Sequence, residues 1–144
     1  MKIRSFKESD AEAVARLSNE NSEFFQYIDV RPDYLKCMCL NPSFKMFILE
    51  DAGKVKGFCG VSYSNRRMAE IGPICVSKAL RGKGLGHKLA LRAIKHIDKI
   101  KPAHVIIKVK ASNIAGQDFF KSLGFFTIEA VDMNGEPALV MEKQ

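Results

Sequence analysis

The feature that most constrains this chain is the run Val76-Ser-Lys-Ala-Leu-Arg81-Gly82-Lys83-Gly84-Leu85-Gly86. Before it, Ile71 to Val76 is apolar and reads as the end of a strand. After it, Leu85, Leu89, Ala93 and Ile97 recur every fourth residue with Ala90 and Ile94 alongside, which is a helix with one buried face. The opposite face carries His87, Lys88, Arg92, Lys95 and Lys99. Glycines and cations therefore share a strand-to-helix turn. Glycine lets backbone approach a ligand closely, and the first amides of a helix have no partner within it. With the helix dipole, Arg81 and Lys83, the turn suits a phosphate or pyrophosphate. The competing reading is a tight loop that needs glycines for geometry alone. Neither common nucleotide fingerprint is present: there is no Gly-x-Gly-x-x-Gly, and Gly84-Leu-Gly86 is not followed by the Lys-Ser/Thr of a P-loop.

Around this turn the pattern alternates between strands and helices. Ile3 to Phe6 reads as a short strand, and Ser9-Asp-Ala-Glu12 as a capping box that opens a helix to about Asn21. Asn21 to Pro32 breaks both periodicities and is rich in aromatic and polar residues, among them Phe24, Phe25, Tyr27, Asp29 and Arg31. It is read either as a wall for a substrate or as a partly buried connector. Pro32 suits the first turn of a second helix, which ends near Asn41-Pro42. Phe44 to Glu50 and Lys54 to Ser64 form a hairpin across Asp51-Ala-Gly53, and Met68 to Val76 adds a strand. Gly72-Pro73 inside that strand predicts a bulge, because proline donates nothing to a ladder. A buried strand, Ala103 to Val109, follows the helix that ends before Pro102, giving a right-handed crossover with parallel pairing. The ligand turn then lies at the carboxyl end of a central strand, where open α/β sheets bind ligands. Asn113 starts a last helix, stopped by Gly124, and Asn134-Gly135 turns a final hairpin.

The chain of 144 residues fits a single domain spanning 1–144, with 47% apolar residues, enough for a real core. No apolar run approaches the ~18 residues of a membrane span, and Met1 to Phe6 lacks the hydrophobic stretch of a signal peptide. Cys37, Cys39, Cys59 and Cys75 are unevenly placed, two of them within strand-like segments, which fits structural thiols in a reducing cytoplasm. Cys37-Met-Cys39 has no Cys or His partner at finger spacing, so no metal is expected. The net charge of +7 admits an acidic cofactor, nucleic acid or simple solubility. Nucleic acid is disfavoured because the basic residues lack interleaved aromatics.

Arg81, Gly84 and Gly86 match the segment Arg/Gln-x-x-Gly-x-Gly/Ala, and the turn resembles the acyl-CoA-binding element of the GNAT-type N-acetyltransferase superfamily. Asn113-Ile-Ala-Gly-Gln-Asp-Phe119-Phe120-Lys-Ser-Leu-Gly124-Phe125 looks like that superfamily's second signature, Asn-x-x-Ala-x-x-Phe/Leu-Tyr-x-x-x-Gly-Phe, one strand later. With the order of elements, the resemblance covers essentially the whole chain. It implies an α/β GNAT-type acyltransferase fold, a mixed twisted sheet of about seven strands flanked by about four helices and splayed centrally at the acyl-CoA site. It also implies acetyl-CoA as co-substrate. Backbone groups of Ile74, Cys75 and Val76 would pair with the pantetheine amides, and Gly82, Lys83, Gly84, Leu85 and Gly86 with Arg81 would hold the pyrophosphate. Asn113 would bond the pantetheine arm or serve as an ordinary helix cap.

Phe120 departs from the pattern, standing where many members carry the tyrosine that protonates the departing thiolate. An alkyl thiol has a pKa near ~8.5, so a thiolate released at pH 7 lies roughly 2 kcal/mol from equilibrium. Loss of the acid slows the step without forbidding it; water, Tyr63 or Tyr27 are the stand-ins. The amine poses the other problem, since a lysine-like amine with pKa near ~10.4 is neutral in less than roughly one molecule per thousand at pH 7. A carboxylate is needed to take its proton. Glu70, six residues before Val76, is the candidate, and some members place a catalytic glutamate at the corresponding position. The competing role is a strand-end glutamate paired with Arg66, Arg67 or a lysine. The expected activity is acetyl transfer to an unidentified primary amine, small or on a protein, by a cytoplasmic monomer or homodimer. A non-catalytic acyl-CoA-binding module and a basic nucleic-acid-binding domain are the alternatives.

Overall fold

The computed structural model describes residues 1–22, 30–63 and 67–143. One seven-stranded sheet runs in the order β1-β2-β3-β4-β5-β7-β6. The strands are β1 Lys2–Ser5, β2 Phe44–Asp51, β3 Lys54–Tyr63, β4 Met68–Val76, β5 His104–Lys110, β6 Phe125–Met133 and β7 Glu136–Lys143. Helices α1 Ala11–Glu20 and α2 Pro32–Leu40 precede β2, α3 Leu85–Asp98 links β4 to β5, and α4 Ile114–Ser122 precedes β6. The pairing of β4 with β5 is parallel and the other neighbours are antiparallel, so the sheet is mixed, as expected.

Two apolar layers cover the sheet. One joins Leu85, Leu89, Ala93 and Ile97 of α3 and Phe120 of α4 to Ala69, Ile71 and Ile107 of the sheet. The other joins Ala11, Val14, Ala15 and Leu17 of α1 and Leu35 of α2 to Met46, Ile48, Phe58 and Cys75. Alternation along β3 divides them, with Cys59 and Val61 in the first layer and Phe58 in the second. The fourfold spacing that predicts α3 is thus its sheet-facing stripe, with Leu89, Ala90 and Ala93 wholly buried.

The start of α1 differs from its sequence signature. A single 3-10 turn, Glu8–Asp10, enters the helix, so Ser9 does not cap it. Asp10 does the bonding instead: its carboxylate accepts from the Lys7 amide at 2.7 Å and takes both terminal nitrogens of Arg4 at 2.8 and 2.9 Å. Arg4 Nε also donates to Glu50 at 3.0 Å, tying β1, β2 and the start of α1 together. The Ser-x-x-Glu pattern is local, whereas Arg4 offers Asp10 a bidentate charged partner, which is the stronger bond. Burial alone would raise the Asp10 carboxyl, but the hydrogen bonds from Arg4 and the Lys7 amide outweigh it and hold the group below the ordinary carboxylate value.

Candidate active site at the parting of two strands

Pairing of β4 with β5 covers only Met68↔His104, Ala69↔Val105 and Glu70↔Ile106. Beyond Glu70, β4 stays registered with β3 alone, through Ile71↔Val61, Ile74↔Cys59, Cys75↔Phe58 and Val76↔Gly57. Between the pairs Cys59↔Ile74 and Val61↔Ile71, one residue of β3, Gly60, faces two of β4, so β4 carries an extra residue at Gly72-Pro73. The predicted bulge is therefore present. It also reverses the alternation of β4: Ala69 and Ile71 face α3 before it, Ile74 and Val76 after it, and Cys75 turns to the α1 side. Ile74, Cys75 and Val76 thus lie on the part of β4 that has left β5.

Glycines on β3 make this possible. A Cβ on Gly60 would stand 2.9 Å from the Gly72 carbonyl oxygen, and one on Gly57 would stand 2.9 Å from that of Cys75. Such approaches exclude a side chain. Nothing in the hairpin's alternating pattern marks these positions, because the groups they admit lie on another strand.

The turn after β4 has the geometry its glycines imply. Gly82 and Gly84 have φ of +79° and +76°, with nothing within 4 Å of an added Cβ, and Gly84 is the residue that caps α3. Conformation therefore demands these two glycines. Gly86 is different: it lies within α3 and a Cβ there would meet Phe119 at 3.6 Å and Val76 at 3.7 Å, ordinary contacts. Leu85 is buried, anchoring the first turn, while Arg81, Lys83 and His87 are exposed around it. Arg81 Nε donates to the Val76 carbonyl at 3.1 Å, and its Nη2 donates to Asn21 Oδ1. Asn21 is buried and donates in turn to Leu17 O at 2.8 Å, so the end of α1 braces the arginine of the turn. Sequence reasoning missed this brace, since the two residues are far apart in the chain.

On the α1 side the cleft opens into a cavity of about 200 Å³, reached past Gly72 and Pro73. Val14, Leu35, Met38, Phe44, Met46 and Phe58 give it apolar walls, and Met133 of the last hairpin also lines it. Glu70, Lys108, Ser18 and Ser62 are its short polar contribution. Lys108 Nζ stands 3.4 Å from Glu70 Oε1 across the splay, so among the described residues Glu70 has a lysine as an ion partner. Arg66, Tyr27 and most of the aromatic connector lie outside the described residues. Where the connector returns, Asn19 clasps Val30 through bonds of 2.8 and 3.0 Å, and Val30 lines the cavity.

Asn113 caps α4, its Oδ1 accepting from the Gly116 amide at 2.9 Å. A Cβ on Gly116 would come within 2.5 Å of the Asn113 side-chain nitrogen, which explains a glycine within a helix. Phe120 is 6% exposed and stacks edge-on with Phe119 and Phe125 at 5.1 and 5.6 Å. Tyr63, a candidate stand-in for the acid, points away from the cavity. Its ring faces α3 beside His96 at 6.1 Å, on the side of the sheet away from Glu70. Its hydroxyl is buried without a partner among the described residues, and burial raises its pKa. Cys39, Cys59 and Cys75 pack into the core, and Cys37 is exposed. Burial pushes Cys59 up to about 12 and Cys39 up to about 11, with nearby Lys45 only partly offsetting the latter. No cluster of metal-ligating side chains occurs among the described residues, and no helix there is long and apolar enough to cross a membrane.

Solved structures share this arrangement over the whole chain. A ribosomal-protein-alanine N-acetyltransferase from Brucella melitensis superposes with a TM-score of 0.85 at 20% identity, covering 99% of both chains. YncA from Salmonella typhimurium, solved with its cofactor acetyl-CoA, gives 0.84 at 21% identity over 100% of this chain and 93% of its own. A spermidine N-acetyltransferase from Vibrio cholerae gives 0.80 at 18% identity, over 99% and 94%. At such identities they establish the fold. Among curated proteins no sequence matches. The model of the acetyltransferase (GNAT) domain matches residues 8–144, and the chain therefore belongs to the GNAT family of N-acetyltransferases.

Proposed function

We propose that this chain moves an acetyl group from acetyl-CoA to a primary amine by direct attack of the amine on the thioester. The observation that carries the reading is the parting of β4 from β5 after Glu70. It joins a glycine turn at the head of α3 to a cavity on the opposite face, giving two ligands access to one point.

Acetyl-CoA fits the first half by the chemistry of its donors. The edge of β4 from Ile71 to Val76 is not laddered to β5, so its backbone suits the amides of the pantetheine arm. Amides at the head of α3, with Arg81 and Lys83, suit the pyrophosphate. Arg81 would arrive partly oriented by Val76 and Asn21. Asn113 would bond the arm through whichever valences its cap leaves open.

In the reaction the amine nitrogen bonds to the carbonyl carbon, the carbon–sulfur bond breaks, and the amine loses a proton. Glu70, facing the cavity at the start of the splay, would take that proton directly or through one water. Phe120 has no proton to give, so the thiolate would take its own from water. Cys75 is buried against the α1 layer and is absent from the cavity lining, which favours direct attack over an acetyl-cysteine.

The test is a panel of amines assayed for release of CoA thiol, beside calorimetric titration with acetyl-CoA. Tight binding with amine-dependent release is the expected result. Binding without release for any amine would make the chain an acyl-CoA-binding module instead.

A further inference from the structure

We propose that the acceptor is a free α-amino acid with a large apolar side chain, recognised as a zwitterion by Glu70 and Lys108. The inference rests on the reading that acetyl-CoA occupies the cleft between β4 and β5. It names what enters from the other side.

Charge decides between acceptor classes. Among the described residues lining the cavity, Glu70 is the one carboxylate, and Lys108 lies 3.4 Å from it. The charges of the described lining therefore balance before a ligand arrives. A polyamine or an aminoglycoside brings several positive charges, and each charge taken from water needs a partner. The described lining has none to spare, and the chain's net charge of +7 adds repulsion at a distance. A simple monoamine would place two cations on one carboxylate. A zwitterion instead completes a neutral quartet: its ammonium meets Glu70 and its carboxylate meets Lys108.

Two further observations agree. Lys108 and Glu70 are both about one-third to two-fifths exposed, at 42% and 35%, and an ion pair so wet adds little to stability. Such a pair is free to exchange partners with a ligand. The space beyond it is apolar and of the right size. The whole cavity, ion pair included, measures about 200 Å³, above the ~150 Å³ in which an engineered apolar cavity holds benzene, which matches an amino acid the size of leucine, methionine or phenylalanine. Met38, Met46 and Met133 line it, and thioether side chains adapt to either aliphatic or aromatic shapes.

The test compares L-leucine with L-leucinamide and L-phenylalanine with L-phenylalaninamide, with spermidine as a third arm. Each pair keeps the side chain and removes the carboxylate. The amide also mimics a protein N-terminus and has the easier nucleophile, with an α-amino pKa near ~8, so preference for the acid does not come from amine basicity. The expected result is a kcat/KM at least about tenfold higher for the free acids, the scale of one charge-assisted contact. Lys108→Met should bring that ratio close to unity and Lys108→Arg should preserve most of it. Faster turnover of the amides or of spermidine overturns the inference while leaving acetyl transfer intact. An acid-to-amide ratio unchanged by Lys108→Met also overturns it. Should no amine release thiol, calorimetric titration of L-leucine into the protein saturated with CoA still decides: binding that Lys108→Met weakens supports the zwitterion site, and no binding removes it.

Discussion

The turn that opens α3 follows the end of β4, and the cavity beneath α1 and α2 is lined by the bulge of the same strand. One is made of consecutive residues, Ser77 to Gly86, and the other of side chains scattered from Val14 to Met133. The turn works with backbone: positive φ at Gly82 and Gly84, amides at a helix head, and two cations. The cavity is lined by side chains, and its two charged groups, Glu70 and Lys108, are paired. A turn of this kind tolerates little change, because positive φ at Gly82 and Gly84 disfavours any side chain there. Side-chain machinery can be rebuilt residue by residue, which suits a family whose solved relatives carry names as different as ribosomal-protein alanine and spermidine acetyltransferases.

The comparison breaks most sharply at Gly84. Valine there would adopt φ +76° only against a left-handed penalty of about 1–2 kcal/mol, and β-branching adds to it. We expect acetyl-CoA affinity to fall by about 100-fold or more in calorimetric titration, because relief of that strain moves the amides and costs the charged contacts they make. Unfolding by denaturant should move far less, since the residue is exposed and packs against nothing within 4 Å. Gly86→Ala is the control, with room for its Cβ and nearly normal binding expected. Normal acetyl-CoA binding by a folded Gly84→Val protein would remove the turn from the cofactor site.

Glu70→Gln addresses the cavity side. Turnover should drop about 10²-fold at pH 7, the usual contribution of a positioned general base, while acetyl-CoA binding stays. Raising the pH towards 9 should recover part of the loss, since more of the amine is then already neutral. A flat pH response with turnover unchanged would leave positioning of the two substrates as the source of catalysis.

The third prediction tests whether either half depends on the brace far from it. Arg4→Met leaves Asp10 buried without its bidentate partner, which should cost roughly 3 kcal/mol in urea unfolding and leave acetyl-CoA affinity unaltered. The pH dependence has a definite sign. Folding lowers the Asp10 pKa, so its stabilisation is complete above the ordinary aspartate value near ~3.9 and is lost as pH falls through the lower folded value. Arg4→Met should therefore flatten the acid limb of the stability curve. An acid limb identical to that of the parent protein would show that other carboxylates govern it.

How much of this was legible follows the same division. Spacing within a dozen residues reports the turn, the stripe of α3, the Asn113 cap and the bulge at Gly72-Pro73, because each physical partner is a near neighbour in sequence. Glycines whose reason lies on another strand are silent: Gly57 and Gly60 look like weak points of a strand until the carbonyls of Cys75 and Gly72 appear beside them. Lys108 reads as one more cation on a buried strand, and Asn21 as the end of a helix. Their meaning comes from Glu70 and Arg81, which only tertiary structure brings within bonding distance. Tyr63 is a related case: alternation puts its side chain on the face of the sheet away from that of Glu70, although a tyrosine at a strand end suggests no face by itself.

The smallest expected effect is at Phe120, in the apolar layer under α3 and α4. Phe120→Tyr restores a phenol at the position many family members use to protonate the thiolate. Its ceiling is the roughly 2 kcal/mol by which a free thiolate lies above its neutral-pH equilibrium, about 30-fold in rate. The packing sets a lower bound on success. Phe120 is 6% exposed between Phe119 and Phe125, so the added hydroxyl must find either the cleft or a partner within the core. An unpaired buried hydroxyl costs about 1–3 kcal/mol of stability. A hydroxyl that reaches the cleft should raise turnover with little change in unfolding, and one trapped in the core should lower stability and leave turnover alone. Turnover and urea unfolding measured on the same variant separate the two. A rate increase well above 30-fold would contradict the thiol argument itself and mean that protonation of the leaving group, rather than deprotonation of the amine, limits the native reaction.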